Sequence, residues 1–284
     1  MQTATTLDEL HAEREKLSGP VGLVPTMGYL HEGHLSLVHR AREENASVVA
    51  TIFVNPAQFG PGEDLASYPR DMEGDLAKLE SAGVDLVWHP GREVVYPPGF
   101  QTAVTVSELI KRLEGEYRPG HFDGVATVVV KLFNTVRPDR AYFGQKDAQQ
   151  AVVIKRMVKD LNFPVGIVVC PTVRESDGLA MSSRNSYLNA AQRAVAPVLY
   201  RALSVARSAY EDGQRDGDAL RKLMQETLSE EPLAEPQYVS CADPETLEEL
   251  RRVGDDMLLS MAVYIGKTRL IDNFLLEDGE WVGE

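Results

Sequence analysis

Apolar residues in the first two thirds of the chain fall into short, nearly continuous runs that are rich in β-branched residues. Such runs are typical of parallel strands that are buried on both faces of a sheet. Between them, leucine and valine recur at helical spacing among charged residues. Strands that alternate with helices predict an α/β domain built on a parallel sheet. The predicted strands are Val21–Val24, Ser47–Val54, Val84–Trp88, Asp139–Phe143 and Val165–Cys170.

Residues that flank these runs predict where several elements begin and end. Thr6 is a candidate N-cap for a helix that reaches Leu17, since a threonine oxygen accepts from the first N–H groups of a helix. Pro25 is expected to end the first buried strand because proline cannot donate to a sheet ladder. The sequence also predicts an edge strand at Thr102–Val106 and a buried helix over Val125–Val136.

The pattern changes after Tyr187, where long helical segments precede a group of strands. We therefore expect a catalytic α/β domain over residues 1–186 and a smaller α+β domain over residues 187–284, which serves as a lid or a dimerisation support. The elements predicted for the second domain are helices at Ala191–Tyr210 and Asp218–Leu228 and strands near Tyr238–Cys241, Leu258–Ile265 and Arg269–Leu276.

Composition narrows the choice of partners and compartment. The chain has 29 basic and 43 acidic residues, a formal net charge of −14, which disfavours non-specific binding to nucleic acid or an anionic membrane. Its two cysteines, Cys170 and Cys241, lie far apart in sequence and predict reduced thiols in a cytoplasmic protein. The sequence has neither a run of 18 apolar residues nor the pattern of a secretory signal.

The segment Val21–Leu35, VGLVPTMGYLHEGHL, predicts a strand, a sharp turn and the start of a helix near Glu32. A helix N-terminus at such a turn favours a phosphate group. His31 and His34 lie three residues apart on one helical face, where two imidazoles can donate hydrogen bonds to developing negative charge. Two histidines near a glycine are also compatible with an ordinary surface, and a metal pair would need a third ligand that the sequence does not offer.

Polar residues follow other predicted strands. Gly144–Asp147 is a second entry from a strand into a helix, with Lys146 placed to meet a phosphate and Asp147 to hold a sugar hydroxyl or cap the helix. Asn55–Gly60 lies at the carboxyl edge of the predicted sheet. Pro171–Asn185 has two arginines and no apolar period, which favours a mobile loop that faces phosphate. Asp71 and Asp75 lie four positions apart on a predicted helix, so the pair faces either a cation or solvent.

Five motifs occur in order, namely PTMGYLHEGH (Pro25–His34), FVNPAQF (Phe53–Phe59), RPGHFDGV (Arg118–Val125), FGQKDAQQ (Phe143–Gln150) and MSSRNSYL (Met181–Leu188). Together they closely resemble the pantothenate synthetase (pantoate–β-alanine ligase) family of the HxGH nucleotidyltransferase superfamily. The resemblance implies a Rossmann-like nucleotidyltransferase domain, a smaller C-terminal domain and a homodimer. It also implies that ATP and pantoate form pantoyl adenylate and pyrophosphate, and that β-alanine then displaces AMP to give pantothenate.

The same resemblance implies the roles of individual residues. His34, His31 and Lys146 would be catalytic, Gln58 and Gln150 would contact pantoate together with Asn55, and Asp75 would contact the Mg²⁺ that accompanies ATP. Met181–Arg184 looks like the counterpart of the mobile loop of related synthetases. The residues implied for ATP binding are Met27, Gly28, Tyr29, Leu30, His31, Glu32, Gly33, His34, Gly144, Gln145, Lys146, Asp147, Val173, Met181, Ser182, Ser183 and Arg184.

Three other functions use a similar turn. A nucleotidyltransferase acting on a phosphate monoester would need no amine substrate. A class I aminoacyl-tRNA synthetase would need a tRNA-binding domain, which this short, acidic sequence does not show. A nucleotide-binding sensor would keep the pocket but would not exchange pyrophosphate into ATP.

Overall fold

Six short strands pair in parallel within residues 1–283, the part of the chain that the computed structural model describes. In chain order they are β1 (Gln2–Ala4), β2 (Val21–Thr26), β3 (Ser47–Ile52), β4 (Leu86–Trp88), β5 (Arg140–Gly144) and β6 (Gly166–Cys170). They lie in the spatial order β1-β4-β3-β2-β5-β6. The Rossmann-like parallel sheet predicted from the sequence is confirmed.

Helices connect these strands. They are α1 (Leu7–Arg14), α2 (Glu32–Glu44), α3 (Met72–Ser81), α4 (Arg92–Val95), α5 (Glu114–Tyr117), α6 (His121–Val136) and α7 (Ala148–Asp160). Single 3₁₀ turns occupy Pro56–Gln58, Leu109–Lys111 and Gln145–Asp147. Thr6 caps α1 as expected, because its side chain accepts from the Glu9 N–H while the Glu9 carboxylate accepts from the Thr6 N–H.

The order of the strands locates the edge at which ligands bind. The chain passes from β2 to β3 and β4 on one side, then returns to β5 on the other side of β2. Open α/β sheets bind ligands at such a switch point, beyond the carboxyl ends of the strands. At this edge β2 leads into the Met27–His34 turn and β5 ends at Gly144.

Two apolar clusters cover the faces of the parallel sheet, which explains why its strands have few polar residues. The first cluster packs α1, α6 and α7 against the sheet through residues such as Leu10, Leu132 and Ile154. The second packs α2 and α3 through residues such as Val38 and Leu79. These contacts fix the carboxyl edge of the sheet, where the candidate site residues lie.

Three predictions about local structure are wrong. Pro25 continues β2 and pairs with Thr51 of β3, and proline is tolerated there because the pairing of β2 with β5 covers only Gly22 and Leu23. Thr102–Val106 is irregular rather than a strand. Helix α6 begins at His121, four residues before the predicted start, because Gly120 has a φ of 82° and ends the preceding turn.

The second compact unit is an antiparallel sheet with helices against it. Over the described residues its strands are β7 (Ala234–Ala242), β8 (Met257–Ile265), β9 (Thr268–Glu277) and β10 (Glu280–Val282), in the order β10-β9-β8-β7. Its helices are α8 (Ala190–Val195), α9 (Val198–Glu211) and α10 (Gly217–Ser229), with a 3₁₀ turn at Ser183–Tyr187. This arrangement confirms the predicted smaller α+β domain. The single helix predicted over Ala191–Tyr210 is wrong, since the chain breaks it at Pro197.

The chain crosses between the units more than once. The first unit comprises Met1–Lys111, Gly115–Gly144 and Gln150–Cys170, and the second comprises Arg112–Glu114, Gln145–Gln149 and the chain from Pro171 onward. The boundary expected between residues 186 and 187 stays a prediction. None of the helices in residues 1–283 is both long and apolar enough to cross a membrane.

Both thiols are buried, and each lies in a different unit. Burial raises the pKa of Cys170 to about 11 and that of Cys241 to about 12. The folded protein therefore holds both cysteines as protonated thiols near neutral pH.

Candidate active site

The Met27–His34 turn, at the carboxyl end of β2, has a backbone that requires glycine. Gly28 has a φ of 85°, and Tyr29 follows with a φ of 54°. A Cβ at Gly28 would lie 3.0 Å from both the Asp75 Oδ2 and the Ile52 Cγ2. The left-handed backbone and the tight packing together exclude a side chain at this position.

Two side chains of α3 hold this turn from behind. Asp75 is 1% exposed, and its carboxylate accepts hydrogen bonds from the Tyr29 N–H at 2.6 Å and the Leu30 N–H at 2.7 Å. Lys78 donates to the Leu30 carbonyl oxygen at 2.7 Å. Since charged groups form the stronger hydrogen bonds, α3 fixes three backbone groups of the turn.

The paired histidines cap the start of α2. The Gly33 N–H donates to the Nδ1 atom of His31 at 3.1 Å, and the His31 N–H donates to the Nδ1 atom of His34 at 3.3 Å. The ring centroids lie 4.1 Å apart. Because each Nδ1 accepts, each neutral ring carries its proton on Nε2. The imidazoles thus accept from backbone amides that the sequence pattern assigned to a phosphate.

Magnesium does not fit the carboxylate expected to bind it. Both oxygens of Asp75 already accept from backbone N–H groups in a buried position. The residues 1–283 also contain no cluster of three histidine, cysteine, aspartate or glutamate side chains placed for a metal ion. Asp71, the other acid of the predicted pair, accepts from the Gly74 N–H as the N-cap of α3.

The Asn55–Phe59 turn, which follows β3, is organised by Asn55. This residue is 1% exposed, and its Oδ1 atom accepts from the Tyr96 hydroxyl at 2.8 Å and the Ala57 N–H at 3.3 Å. Its Nδ2 atom donates to the Gln58 Oε1 at 3.0 Å and to the Gly124 carbonyl oxygen at 3.1 Å. These four bonds satisfy the amide, so Asn55 orients its neighbours and has no group left for a substrate.

Gln58 joins the two turns. Its Nε2 atom donates to the Met27 Sδ at 3.2 Å, and its Oε1 atom accepts from Asn55. An amide offers two N–H donors and two lone pairs. Within the described chain, one donor and one lone pair of Gln58 are therefore left for another group.

The two adjacent glutamines of α7 behave differently. Gln149 is buried, accepts from the Glu114 N–H at 2.9 Å and donates to the Arg112 carbonyl oxygen at 2.8 Å, all within the second unit. Gln150 is half-buried in the first unit, and its amide has no hydrogen-bond partner among residues 1–283. The predicted substrate contact is thus the glutamine whose amide the protein leaves unused.

Asn273 of β9 fixes the turn that carries Lys146. The Gln145 Nε2 donates to the Asn273 Oδ1 at 2.9 Å. The Asn273 Nδ2 in turn donates to the carbonyl oxygens of Gln145 and Lys146, at 3.0 and 2.9 Å. Lys146 is half-buried, and its ammonium makes no ion pair or hydrogen bond within residues 1–283, so it can bind an anion.

Ion pairs tie down the Pro171–Asn185 segment in the second unit. Arg174 donates to both oxygens of Asp272, at 2.8 and 3.0 Å, and its guanidinium lies 4.9 Å from the Tyr200 ring centroid. Arg193 pairs with Glu175 and Asp177 at 2.6 and 2.7 Å. Arg174, one of the two arginines expected to face phosphate, is therefore committed to the fold.

The structure assigns the predicted site residues to both units. Met27–His34, Asn55, Gln58, Gly144 and Gln150 belong to the first. Gln145–Asp147, Val173 and Met181–Arg184 belong to the second. Ser182 caps the 3₁₀ turn that begins at Ser183, because its hydroxyl oxygen accepts from the Arg184 N–H at 3.2 Å.

Sequence reasoning missed the residues that hold the site from behind. Lys78 and Asn273 act on backbone groups 48 and 127 or 128 residues away in sequence, a distance at which local patterns carry no signal. The RPGHFDGV motif belongs to the family resemblance, but its residue pattern indicates no role for Arg118 or His121.

The fold and the paired-histidine turn define a Rossmann-like α/β enzyme that uses a nucleotide. Comparison with known proteins identifies its family. The sequence model of the family described as "Pantoate-beta-alanine ligase" matches residues 1–275. A pantothenate synthetase of Herpetosiphon aurantiacus is 61% identical over 277 residues, covering 97% of this chain and 100% of the relative. One from Chloroflexus aurantiacus is 63% identical over 258 residues, covering 90% of this chain and 92% of the relative.

Solved structures agree with the sequence comparison. The crystal structure of pantothenate synthetase from Thermus thermophilus is 52% identical, with a TM-score of 0.92, and the match covers 96% of this chain and 98% of that one. A pantoate-beta-alanine ligase from Francisella tularensis, complexed with β-γ ATP and β-alanine, is 36% identical, with a TM-score of 0.79 and 97% coverage of both chains. The chain belongs to the pantoate-beta-alanine ligase family.

Proposed function

We propose that this ligase condenses (R)-pantoate with β-alanine through a pantoyl adenylate, with the Met27–His34 turn at the phosphates and Gln58 at the pantoate. The observation that carries the proposal is the bond between Gln58 and Met27. It joins an amide with one unused donor and one unused acceptor to the turn that carries His31 and His34. In this proposal, the turn that donates to the phosphates and the turn that carries the neutral orienting group contact each other within the first unit.

Adenylation needs positioning and charge stabilisation rather than a nucleophilic side chain. A carboxylate oxygen of pantoate bonds to the α-phosphorus of ATP as the bond to the pyrophosphate oxygen breaks. His31, His34 and Lys146 stabilise the charge that develops on the phosphates. The amine of β-alanine then bonds to the acyl carbon, the acyl–phosphate bond breaks, AMP leaves and the amine loses a proton.

Gln58 suits a substrate that must lose carboxylate charge during the reaction. Its free N–H and lone pair orient the carboxylate and hydroxyl of pantoate, and Gln150 supplies a second amide. A lysine at position 58 would bind the ground-state anion more strongly without helping the transition state. In this proposal Asn55 positions Gln58 and does not contact pantoate.

The remaining predicted residues hold the nucleotide. Gly144–Asp147, Val173 and Met181–Arg184 line ATP, and Met181–Arg184 covers the reactive acyl adenylate against water. Mg²⁺ enters with ATP and offsets triphosphate charge while keeping several waters. Since both oxygens of the buried Asp75 carboxylate accept from backbone N–H groups, we assign no protein ligand to the metal and no step to it.

Exchange of labelled pyrophosphate into ATP tests the function. We expect exchange with pantoate and none without an acid, measured across a panel of 2-hydroxy and amino acids. A nucleotide sensor gives no exchange with any acid, and an aminoacyl-tRNA synthetase gives exchange with an amino acid. Either of these results would contradict the proposal.

We also propose a homodimer, an assembly that rests on the family resemblance. Sedimentation velocity at micromolar concentration should give the mass of two chains. A species with the mass of one chain across that range would refute it.

A further inference from the structure

The RPGHFDGV motif has no part in the chemistry described above. Arg118 precedes α6, and His121 is its first residue, only 9% exposed. A buried histidine at a helix start requires partners for its ring nitrogens. One of those partners belongs to the turn that carries Gln58.

The two ring nitrogens of His121 have different partners. Nδ1 lies 2.7 Å from the Gln58 carbonyl oxygen, and Nε2 lies 3.1 Å from the Nη1 atom of Arg118. Arginine can only donate, so Nε2 must accept and the ring proton must lie on Nδ1. The carbonyl oxygen can only accept, which requires the same tautomer. Arg118 therefore selects the form of His121 that donates to Gln58.

Glu63 holds Arg118 in place. Its carboxylate accepts from the Nε and Nη2 atoms of Arg118, both at 2.8 Å. Burial alone would raise the pKa of Glu63, but the hydrogen bonds and charge of Arg118 outweigh burial and lower that pKa. The guanidinium is thus fixed by an ionised carboxylate on one side while it donates to the imidazole on the other.

We propose that His121, set in its Nδ1–H tautomer by Arg118 and Glu63, is a positioning residue that holds Gln58 against the hydroxy-acid substrate. This inference rests on the proposed role of Gln58 in binding pantoate. The hydrogen bond from His121 fixes the peptide plane that follows Gln58, and the hydrogen bond from Asn55 fixes the side-chain amide of Gln58. Loss of either bond lets the amide move, and small displacements of a substrate-orienting group have large kinetic effects.

Two substitutions separate the hydrogen bond from the shape of the ring. His121→Phe keeps an aromatic ring but removes the donor, whereas His121→Asn loses the ring but places an amide N–H near the position of Nδ1. We expect His121→Phe to raise the KM for pantoate about tenfold, with the KM for ATP within about twofold of the parent, and His121→Asn to restore most of the loss. If the KM for pantoate of His121→Phe is equal to or lower than that of His121→Asn, the proposal is overturned.

A double-mutant cycle shows whether His121 acts through Gln58. In the Gln58→Ala background, His121→Phe should raise the KM for pantoate no further, since no amide is left to position. Additive effects would overturn the inference. If Gln58→Ala alone leaves the KM for pantoate unchanged, the proposed role of Gln58 is refuted. If Gln58→Ala raises that KM but His121→Phe does not, only the role of His121 is refuted.

Arg118→Leu provides a measurement that does not depend on the folding of His121→Phe. Without Arg118 the imidazole is free to change tautomer, and the long, weak bond of 3.5 Å from the Arg118 Nη2 to the Gln58 carbonyl oxygen is also lost. The KM for pantoate should therefore rise severalfold, chiefly through the change of tautomer. The same substitution should have little effect in the His121→Asn background, because an amide has no tautomer to select. An equal rise in the KM for pantoate in both backgrounds would show that Arg118 does not act through His121. That result would overturn the proposed action of Arg118 on Gln58 through His121.

Discussion

The Met27–His34 turn and the Asn55–Phe59 turn follow neighbouring strands, yet they are held in opposite ways. Charged side chains from one helix, Asp75 and Lys78, anchor the backbone of the first turn. Neutral or aromatic groups from separate segments, including Tyr96 and His121, anchor the second. The Met27–His34 turn is thus held by a single helix, whereas the turn that carries Gln58 depends on several separate segments. We therefore expect damage to the first turn to impair the chemical step, and damage to the second turn to impair the positioning of the substrate.

His34→Ala should have the largest effect, because it deletes the proposed donor to the phosphates. It also removes the acceptor of the His31 N–H, but it leaves the Asp75 and Lys78 anchors of the turn in place. We expect single-turnover adenylate formation to fall about 10²–10³-fold, equivalent to about 2.7–4 kcal/mol by analogy with oxyanion-hole deletions. His39→Ala, an exposed position on the same helix, is the matched control and should retain the parent rate. A His34→Ala enzyme as fast as His39→Ala would remove the distinction between the two turns.

Asp75→Asn tests the anchor of the first turn. The substitution keeps the shape but turns an N–H donor toward a backbone N–H, so we expect the free energy of unfolding to fall by about 2–3 kcal/mol in urea titration. Asp71→Asn is the control, since asparagine and aspartate cap helices about equally well. Equal stabilities for the two variants would mean that the turn does not need the charge of Asp75.

Gly124→Ala tests the anchor of the second turn through packing. A Cβ at Gly124 would lie 2.3 Å from the Ala57 carbonyl oxygen, so α6 and the Asn55–Phe59 turn must separate. We expect a loss of about 2 kcal/mol in stability, as for other overpacked sites, together with a raised KM for pantoate. Gly254→Ala meets no atom within 4 Å and should leave that KM unchanged; a parallel rise there would point to a global cause.

Glu63→Gln should have the smallest effect, of about 1 kcal/mol at pH 7, because its ion pair is only partly buried. The folded pKa of Glu63 lies below its unfolded value, so its stabilisation is complete above the unfolded pKa and is lost as the pH falls through the folded pKa. The difference in unfolding free energy between parent and variant should therefore shrink in acid. A difference that grows as the pH falls would contradict the depressed pKa.

Local patterns predicted the first turn better than the second. The strand–turn–helix around His31 and the cap at Thr6 depend on neighbours in sequence, and both were predicted. The contact of His121 with Gln58 spans 63 residues, and neither residue signals the other. Thr102–Val106 alternates like a strand, yet the Val104 N–H donates to the Thr127 hydroxyl instead of a neighbouring strand. In both regions the local structure depends on hydrogen-bond partners that lie far away in sequence.

The two buried thiols give the protein a built-in probe of local opening. The sequence contains no other cysteine, and Cys170 lies in the first unit while Cys241 lies in the second. Alkylating reagents attack thiolates, which are scarce at pKa values of about 11 and 12. Labelling near neutral pH must therefore wait for each unit to expose its own cysteine, and the two rates report two opening free energies. Peptide mass spectrometry of the unaltered chain would measure the local opening of both units in one experiment.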